Sequence, residues 1–157
     1  MTPETVPTIF RSRARTISAL AILGIAVSGY LTWVHYSGGL ALCAGIGGCE
    51  QVQTSHYAIL AGIPVATLGL LMYVTLFGLS LSGTLNGGSP PGLPLLGLFG
   101  FALAGTLFSA YLTYVELFVL NAICPWCVVL AVLVTAILVL VVGEMRRWRS
   151  IETYDGR

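Results

Sequence analysis

Four long apolar runs, free or almost free of charge, divide the chain: Ile17 to about Tyr36, about Ile59 to Leu81, about Leu93 to Leu120, and about Pro125 to Val142. About 20 consecutive apolar residues is the length a helix needs to cross the hydrocarbon core of a bilayer. The pattern therefore predicts four membrane-spanning helices, with Glu116 the one acid inside a run. The segments between them are polar or rich in turn formers: a loop over residues 37–58, a second over 83–92 containing GTLNGGSPPG, and a tight turn from Asn121 to Ile123. This gives an N-terminal tail (1–15), a membrane domain (16–142) and a C-terminal tail (143–157).

Composition agrees: 57% of the 157 residues are hydrophobic and 8% charged, where a soluble domain carries roughly a quarter charged residues. Mean hydropathy is +0.93. The charges that remain set an orientation. All seven basic residues are arginines in the two tails, namely Arg11, Arg13, Arg15, Arg146, Arg147, Arg149 and Arg157. Basic residues flanking spans are retained on the cytoplasmic side, so both tails are expected there. Two tails on one side require an even number of crossings, which agrees with four runs counted independently. Loop 37–58 and the turn at 121–123 are then extracytoplasmic, and loop 83–92 is internal. The basic start and small residues of RSRARTISALAILGIAVSG imitate a cleavable signal, but the apolar run exceeds the roughly 7–15 residues of a signal core. The first run is expected to remain as a span of an integral, multi-pass plasma-membrane protein.

The segment SGYLTWVHYSGGLALC, from Ser28, aligns without a gap on SAYLTYVELFVLNAIC, from Ser109, at an offset of 81. Ser28/Ser109, Tyr30/Tyr111, Leu31/Leu112, Thr32/Thr113, Val34/Val115, Ala41/Ala122 and Cys43/Cys124 are identical. Both segments run outward in this topology, so the pattern suggests a parallel repeat of two helix pairs. Such a repeat sets the two cysteine pairs facing each other at one end of a four-helix bundle.

Cys43, Cys49, Cys124 and Cys127 all fall at or beyond the outer surface, the side on which disulfides persist. A bridge closing the short Cys124–Cys127 loop stabilises little through chain entropy, and is more useful as a reagent. Pro125 suits the first position of a helix, and residues i and i+3 share a face. Both sulfurs then lie near the positive end of a helix dipole, which favours the thiolate that attacks and leaves in exchange. Two alternatives stay open: a non-catalytic scaffold with structural disulfides, and a zinc site built from two cysteine pairs. Attachment of haem needs CxxCH, whereas Val128 follows Cys127, and GIGGCE has the wrong spacing for a dinucleotide loop. By elimination, the electrons from these thiols go to a quinone dissolved in the bilayer, reached through an apolar cavity beneath Cys127.

The Cx5C pair in the first outer loop, Ser55 six residues after its second cysteine, and CPWC at the head of the fourth span resemble the vitamin K epoxide reductase family. The tracts GCEQVQTSHYAILAGIPVATLGLLMY and YLTYVELFVLNAICPWC look like its bacterial and archaeal members, and the likeness covers roughly Ile17 to Val142. The resemblance implies an all-α, four-helix membrane bundle whose outer loop carries a short helix capping a quinone pocket. It implies a relay in which Cys43 exchanges with an external thiol protein, Cys49 passes electrons to Cys124, and Cys127 delivers them to a ubiquinone, menaquinone or vitamin K-like ring. Val52 and Ile59, seven apart with Ser55 between them, are compatible with an amphipathic cap. Ser55 matches a family hydroxyl that holds the loop or the quinone, against the simpler reading of a helix cap; Thr54 is a neighbouring substitute. Many prokaryotic relatives carry a fused thioredoxin-like domain, and this chain ends at Arg157, so the expected partner is a separate extracytoplasmic thioredoxin-fold (DsbA-like) protein. The other four-span quinone-linked oxidase family carries its two pairs in the opposite order.

Several residues are less decided. Glu116 is a functional candidate as an acid inside a span, and its alignment with His35 suggests a paired or proton-handling role, since quinone reduction needs protons, but its position near the interface favours a solvated or pairing role. His56 adjoins Ser55 and is a candidate for contact with the quinone or its protons, against an exposed loop histidine. Trp126 either packs on the partner or anchors at the interface. Tyr30, Trp33, Tyr36, Tyr111 and Tyr114 suggest an outer aromatic belt and Trp148 an inner one.

Overall fold

A computed structural model of the protein describes residues 5–39, 43, 48–60, 62–85 and 92–155. Most of loop 83–92, Arg157, and the side chains of Arg11 and Trp148 lie outside the described residues. Four long helices form the bundle: α1 (Thr5–Ser37), α3 (Val65–Leu85), α4 (Gly92–Phe118) and α5 (Pro125–Asp155). Each contains an apolar stretch long enough to cross a membrane: Arg13–Ser37, Val65–Ser82, Leu93–Phe118 and Pro125–Arg147. The protein is an all-α integral membrane bundle. Between α1 and α3 lie a short helix α2 (Cys49–Gln53), a 3₁₀ turn (His56–Ala58), and a two-stranded antiparallel hairpin of β1 (Ile59–Leu60) and β2 (Ile63–Pro64).

The hairpin corrects the expected start of the second helix at Ile59. Gly62 turns the chain with a φ of 84°, a region glycine enters without steric cost. Ile63 precedes a proline, which disfavours helical backbone, so the helix begins only at Val65. The cap helix also ends sooner than the Val52–Ile59 spacing suggests, and Ile59 is an exposed strand residue.

With lipid as solvent, helices are held by close packing and interhelical hydrogen bonds rather than by hydrophobic burial. Leu23, Leu71, Leu107 and Val139 accordingly point outward, while Ala21, Tyr73, Leu76, Ala102, Val134 and Ile137 are buried between helices. Tyr73 ties three helices together. Its ring lies on Gly24 of α1, where an added Cβ would overlap it, and its hydroxyl donates to the Leu130 carbonyl of α5 at 2.6 Å. At the far end Ser80 donates to the Ala14 carbonyl (3.0 Å). Nearby, Arg13 of α1 pairs with Glu144 of α5 at 3.3 Å. The arginine-bearing segments, expected as tails, continue α1 and α5 as helix and meet at one end of the bundle.

Replacing Gly24 tests this packing. Gly24→Val is expected to destabilise the bundle by about 1–3 kcal/mol, the usual cost of overpacking, read as an earlier unfolding midpoint in detergent. Gly78→Val, where nothing lies within 4 Å of the added Cβ, is the control and is expected to leave that midpoint in place.

Candidate active site

At the end opposite Arg13 and Glu144, the first loop docks on the turn between α4 and α5. The Gly48 N–H donates to the Ile123 carbonyl (3.0 Å), and the Gln51 amide donates to the Leu120 carbonyl (3.2 Å). An added Cβ on Gly48 would run into Ala122, so glycine permits this approach. Asn121, at a φ of 48°, folds the turn back so that the Ala122 N–H reaches the Glu116 carbonyl (3.0 Å). Asparagine is among the few residues that tolerate that left-handed conformation. The docked backbone atoms belong to the residues just before Cys49 and Cys124, so the two cysteine pairs share one rim.

Cys43 and Cys49 form a disulfide. Cys43 is half-buried and Cys49 is 2% exposed. Cys124 and Cys127 are free thiols. The sequence places them at the helix head for a local reason: Pro125 occupies the first helical position, and the Val128 N–H closes the first turn on the Cys124 carbonyl (3.1 Å). Cys124 is therefore the N-cap, and its sulfur accepts the backbone N–H groups of Cys127 and Trp126. The Cys127 thiol, donating to that sulfur, is the main influence holding Cys124 below the ordinary thiol range. Burial and the Glu116 carboxylate act in the opposite sense, and the two backbone donors add to the lowering. The thiolate expected at the helix head is thus favoured at Cys124.

A cavity of about 350 Å³ opens beneath the rim, with Leu31, Val52, Met72, Phe108, Glu116 and Cys127 in its walls. Its lining is apolar apart from a few polar groups, and it reaches all four long helices and the cap, a composition and size typical of small-molecule sites. Ser55 lies on the wall. Its hydroxyl donates to the Val52 carbonyl (2.7 Å) and makes no cap to the turn that follows. His56 does not join the cavity: it is exposed, and Ser55 and Tyr57 line the wall on either side of it. Thr54 is exposed. Trp126, read as a partner contact or an interfacial anchor, is half-buried, and its ring packs on Tyr30 with centroids 5.8 Å apart. Trp33, Tyr36, Tyr111 and Tyr114 are exposed, as the outer belt requires.

Glu116 departs most from expectation. A solvated position is ruled out, because the residue is 4% exposed. Its carboxylate accepts the Cys124 N–H at 3.1 Å and a side-chain hydrogen bond from Cys127. His35, its counterpart at the offset of 81, lines the same cavity. Thr32 donates to the Ser28 carbonyl (2.8 Å) and Thr113 to that of Ser109 (2.9 Å), the same back-bond that Thr75, Thr106 and Thr135 make. Gln53 was not singled out by the sequence. It lines the cavity, and its side-chain nitrogen is buried without a hydrogen-bond partner. One polar residue in a short loop carries no periodic signal that would have found it. Among the described residues, no group of three or more His, Cys, Asp or Glu is placed to hold a metal ion.

Fold and site together define a four-helix membrane protein with a disulfide docked over a dithiol at the mouth of an apolar cavity. Residues 15–142 match the Vitamin K epoxide reductase family, and the chain belongs to that family. It is similar to the Thiol-disulfide oxidoreductase LTO1 of Arabidopsis thaliana, with 32% identity over 122 residues; the match covers 74% of this chain and 32% of that protein. The chain thus spans about a third of the length of this curated relative.

The depressed Cys124 thiol has a pH signature. A thiol held low keeps its thiolate as pH falls through the ordinary thiol range, and loses it only at lower pH. In reduced protein, the pH midpoint for Cys124 alkylation is expected below that of a free cysteine. Cys127→Ala, which removes the main donor, is expected to move that midpoint upward; mass spectrometry of the alkylated peptide measures it.

Proposed function

We propose that the protein is a membrane thiol–disulfide oxidoreductase that takes electron pairs from an extracytoplasmic thioredoxin-fold dithiol protein and passes them to a quinone in the bilayer. The observation that carries this reading is the gradient of access along the four sulfurs. Cys43 is half-buried, Cys49 and Cys124 are 2% and 0% exposed, and Cys127 stands on the cavity wall. In this reading a soluble protein approaches the first sulfur and a lipid-dissolved molecule the last.

In this reading a thiolate of the partner attacks Cys43, and the Cys43–Cys49 bond breaks with its electron pair on Cys49. The partner's second thiol resolves the mixed disulfide, leaving the partner oxidised and the outer pair reduced. Cys49 then attacks Cys124 of an inner disulfide, and Cys127 leaves as thiolate. Cys43 restores the outer disulfide and leaves the inner dithiol.

The cavity fits a quinone ring in size and in apolar lining, and the Gln53 amide nitrogen, buried without a partner, is the donor placed to meet a ring oxygen. The quinone supplies an acceptor for two electrons and two protons. Flow in this direction requires each acceptor to be more oxidising than its donor. Strong thioredoxin-fold oxidants lie near about −120 mV, so the quinone must lie at or above that potential. The tails and inner loop are read as cytoplasmic, and the cysteine rim as extracytoplasmic, on the strength of the arginine distribution.

Two variants test the relay. Cys49→Ser is expected to accumulate a mixed disulfide between Cys43 and a thioredoxin-fold protein, seen on non-reducing gels. Cys127→Ser is expected to abolish quinone reduction in stopped flow while the outer pair still exchanges with the partner. Full quinone reduction by Cys127→Ser would falsify the terminal role of that residue.

A further inference from the structure

We propose that Glu116 is a catalytic residue: the acid–base group that takes the protons of the inner dithiol as it is oxidised and hands them to the acceptor in the cavity. This inference rests on the relay proposed above and deepens its last step.

Glu116 lies in the last turn of α4 and is almost fully buried. Acids at such depth are costly and persist where they serve a polar partner. Its partners are both cysteines of the inner pair, through the Cys124 N–H (3.1 Å) and the Cys127 side chain. The same carboxylate is also part of the cavity wall beside Cys127. It therefore borders both the atoms that lose protons and the space in which they must be received. The other titratable groups on that wall are His35, Tyr57 and Tyr73. Among the described residues no lysine or arginine lines it, so neither can serve as base there. Cys127 has one thiol hydrogen and two acceptors, the Cys124 sulfur and the Glu116 carboxylate.

The step balances as follows. Dithiol plus quinone gives disulfide plus quinol. The Cys127 S–H bond breaks, its proton moves to the carboxylate, and Glu116 delivers it to one ring oxygen. The S–S bond between Cys124 and Cys127 forms as one electron pair passes to the ring. Cys124 ionises as it attacks, and its proton passes by the same carboxylate, free again after the first delivery, to the second oxygen. Glu116 begins and ends ionised, so it is regenerated at every turnover.

The test compares Glu116→Gln and Glu116→Asp with the unmodified protein. Glutamine keeps an oxygen to accept the Cys124 N–H, so the turn is expected to fold, and circular dichroism checks that it does. One measurement is the single-turnover oxidation of the pre-reduced inner pair by a short-chain quinone. General acid–base groups contribute typically about 10²–10⁴-fold, so Glu116→Gln is expected to be slower by about a hundredfold or more, with Glu116→Asp recovering much of the rate. The other measurement needs no quinone: the rate of Cys127 alkylation by iodoacetamide against pH, made in Cys124→Ala so that the neighbouring thiol does not titrate with it. Two interacting groups titrate in two steps, so the Cys124→Ala profile is expected to be biphasic and that of Cys124→Ala with Glu116→Gln to have a single step. A Glu116→Gln protein that is oxidised at the unmodified rate overturns the proposal, even if the alkylation profile changes. A protein inert to quinone whose Cys124→Ala form is biphasic in alkylation overturns the quinone reading instead, leaving Glu116 as the proton partner of Cys127. A single-step profile in Cys124→Ala overturns the Glu116 assignment.

Discussion

The hydrogen bond from the Gly48 N–H to the Ile123 carbonyl is the constraint on which the rest of the site depends. Each group belongs to the residue just before a cysteine, so this one contact sets the register between the outer and the inner pair. Thiol exchange requires sulfur to approach sulfur along the axis of the bond being broken, and a mobile loop would sample that geometry rarely. Preorganised placement of reacting groups is among the larger contributions to rate. Three local features make the contact available: the missing side chain at Gly48, the left-handed turn at Asn121, and the Gln51 amide anchored on Leu120.

The helix head beneath this contact gives the two inner sulfurs different characters. Cys124 caps α5 and collects the N–H groups that the first turn leaves unpaired. Cys127 sits one turn further in and faces the cavity. One sulfur is thereby suited to exchange with another sulfur at the rim, the other to meet a lipid-soluble molecule. A pair related by three residues on a helix could not be so different without the cap, because both would otherwise see the same apolar surroundings.

Much of this was legible in the chain. Four spans follow from uncharged apolar runs, and the role of Pro125 from its fixed φ and missing N–H. The structure begins to differ where composition is ambiguous. Ile59 to Ile63 is as apolar as a span, and only the combination of Gly62 with Pro64 marks it as a hairpin. Trp126 has the profile of an interfacial anchor, and its contact with Tyr30 depends on how α1 lies against α5, which no local pattern encodes. Glu116 looked close enough to the interface to be solvated. Its burial comes from the turn at Asn121, which folds residues 122–124 back over the end of α4.

The same closure explains why an acid can be kept there. A carboxylate facing lipid would be expelled or neutralised, and one facing bulk water would gain nothing from its neighbours. Glu116 avoids both through the Cys124 N–H and Cys127, so the backbone that positions the cysteines also satisfies the acid. Its depth beside the dithiol matters as well: the carboxylate is the nearest base to the Cys127 thiol, so the proposed proton transfer needs no rearrangement of the rim.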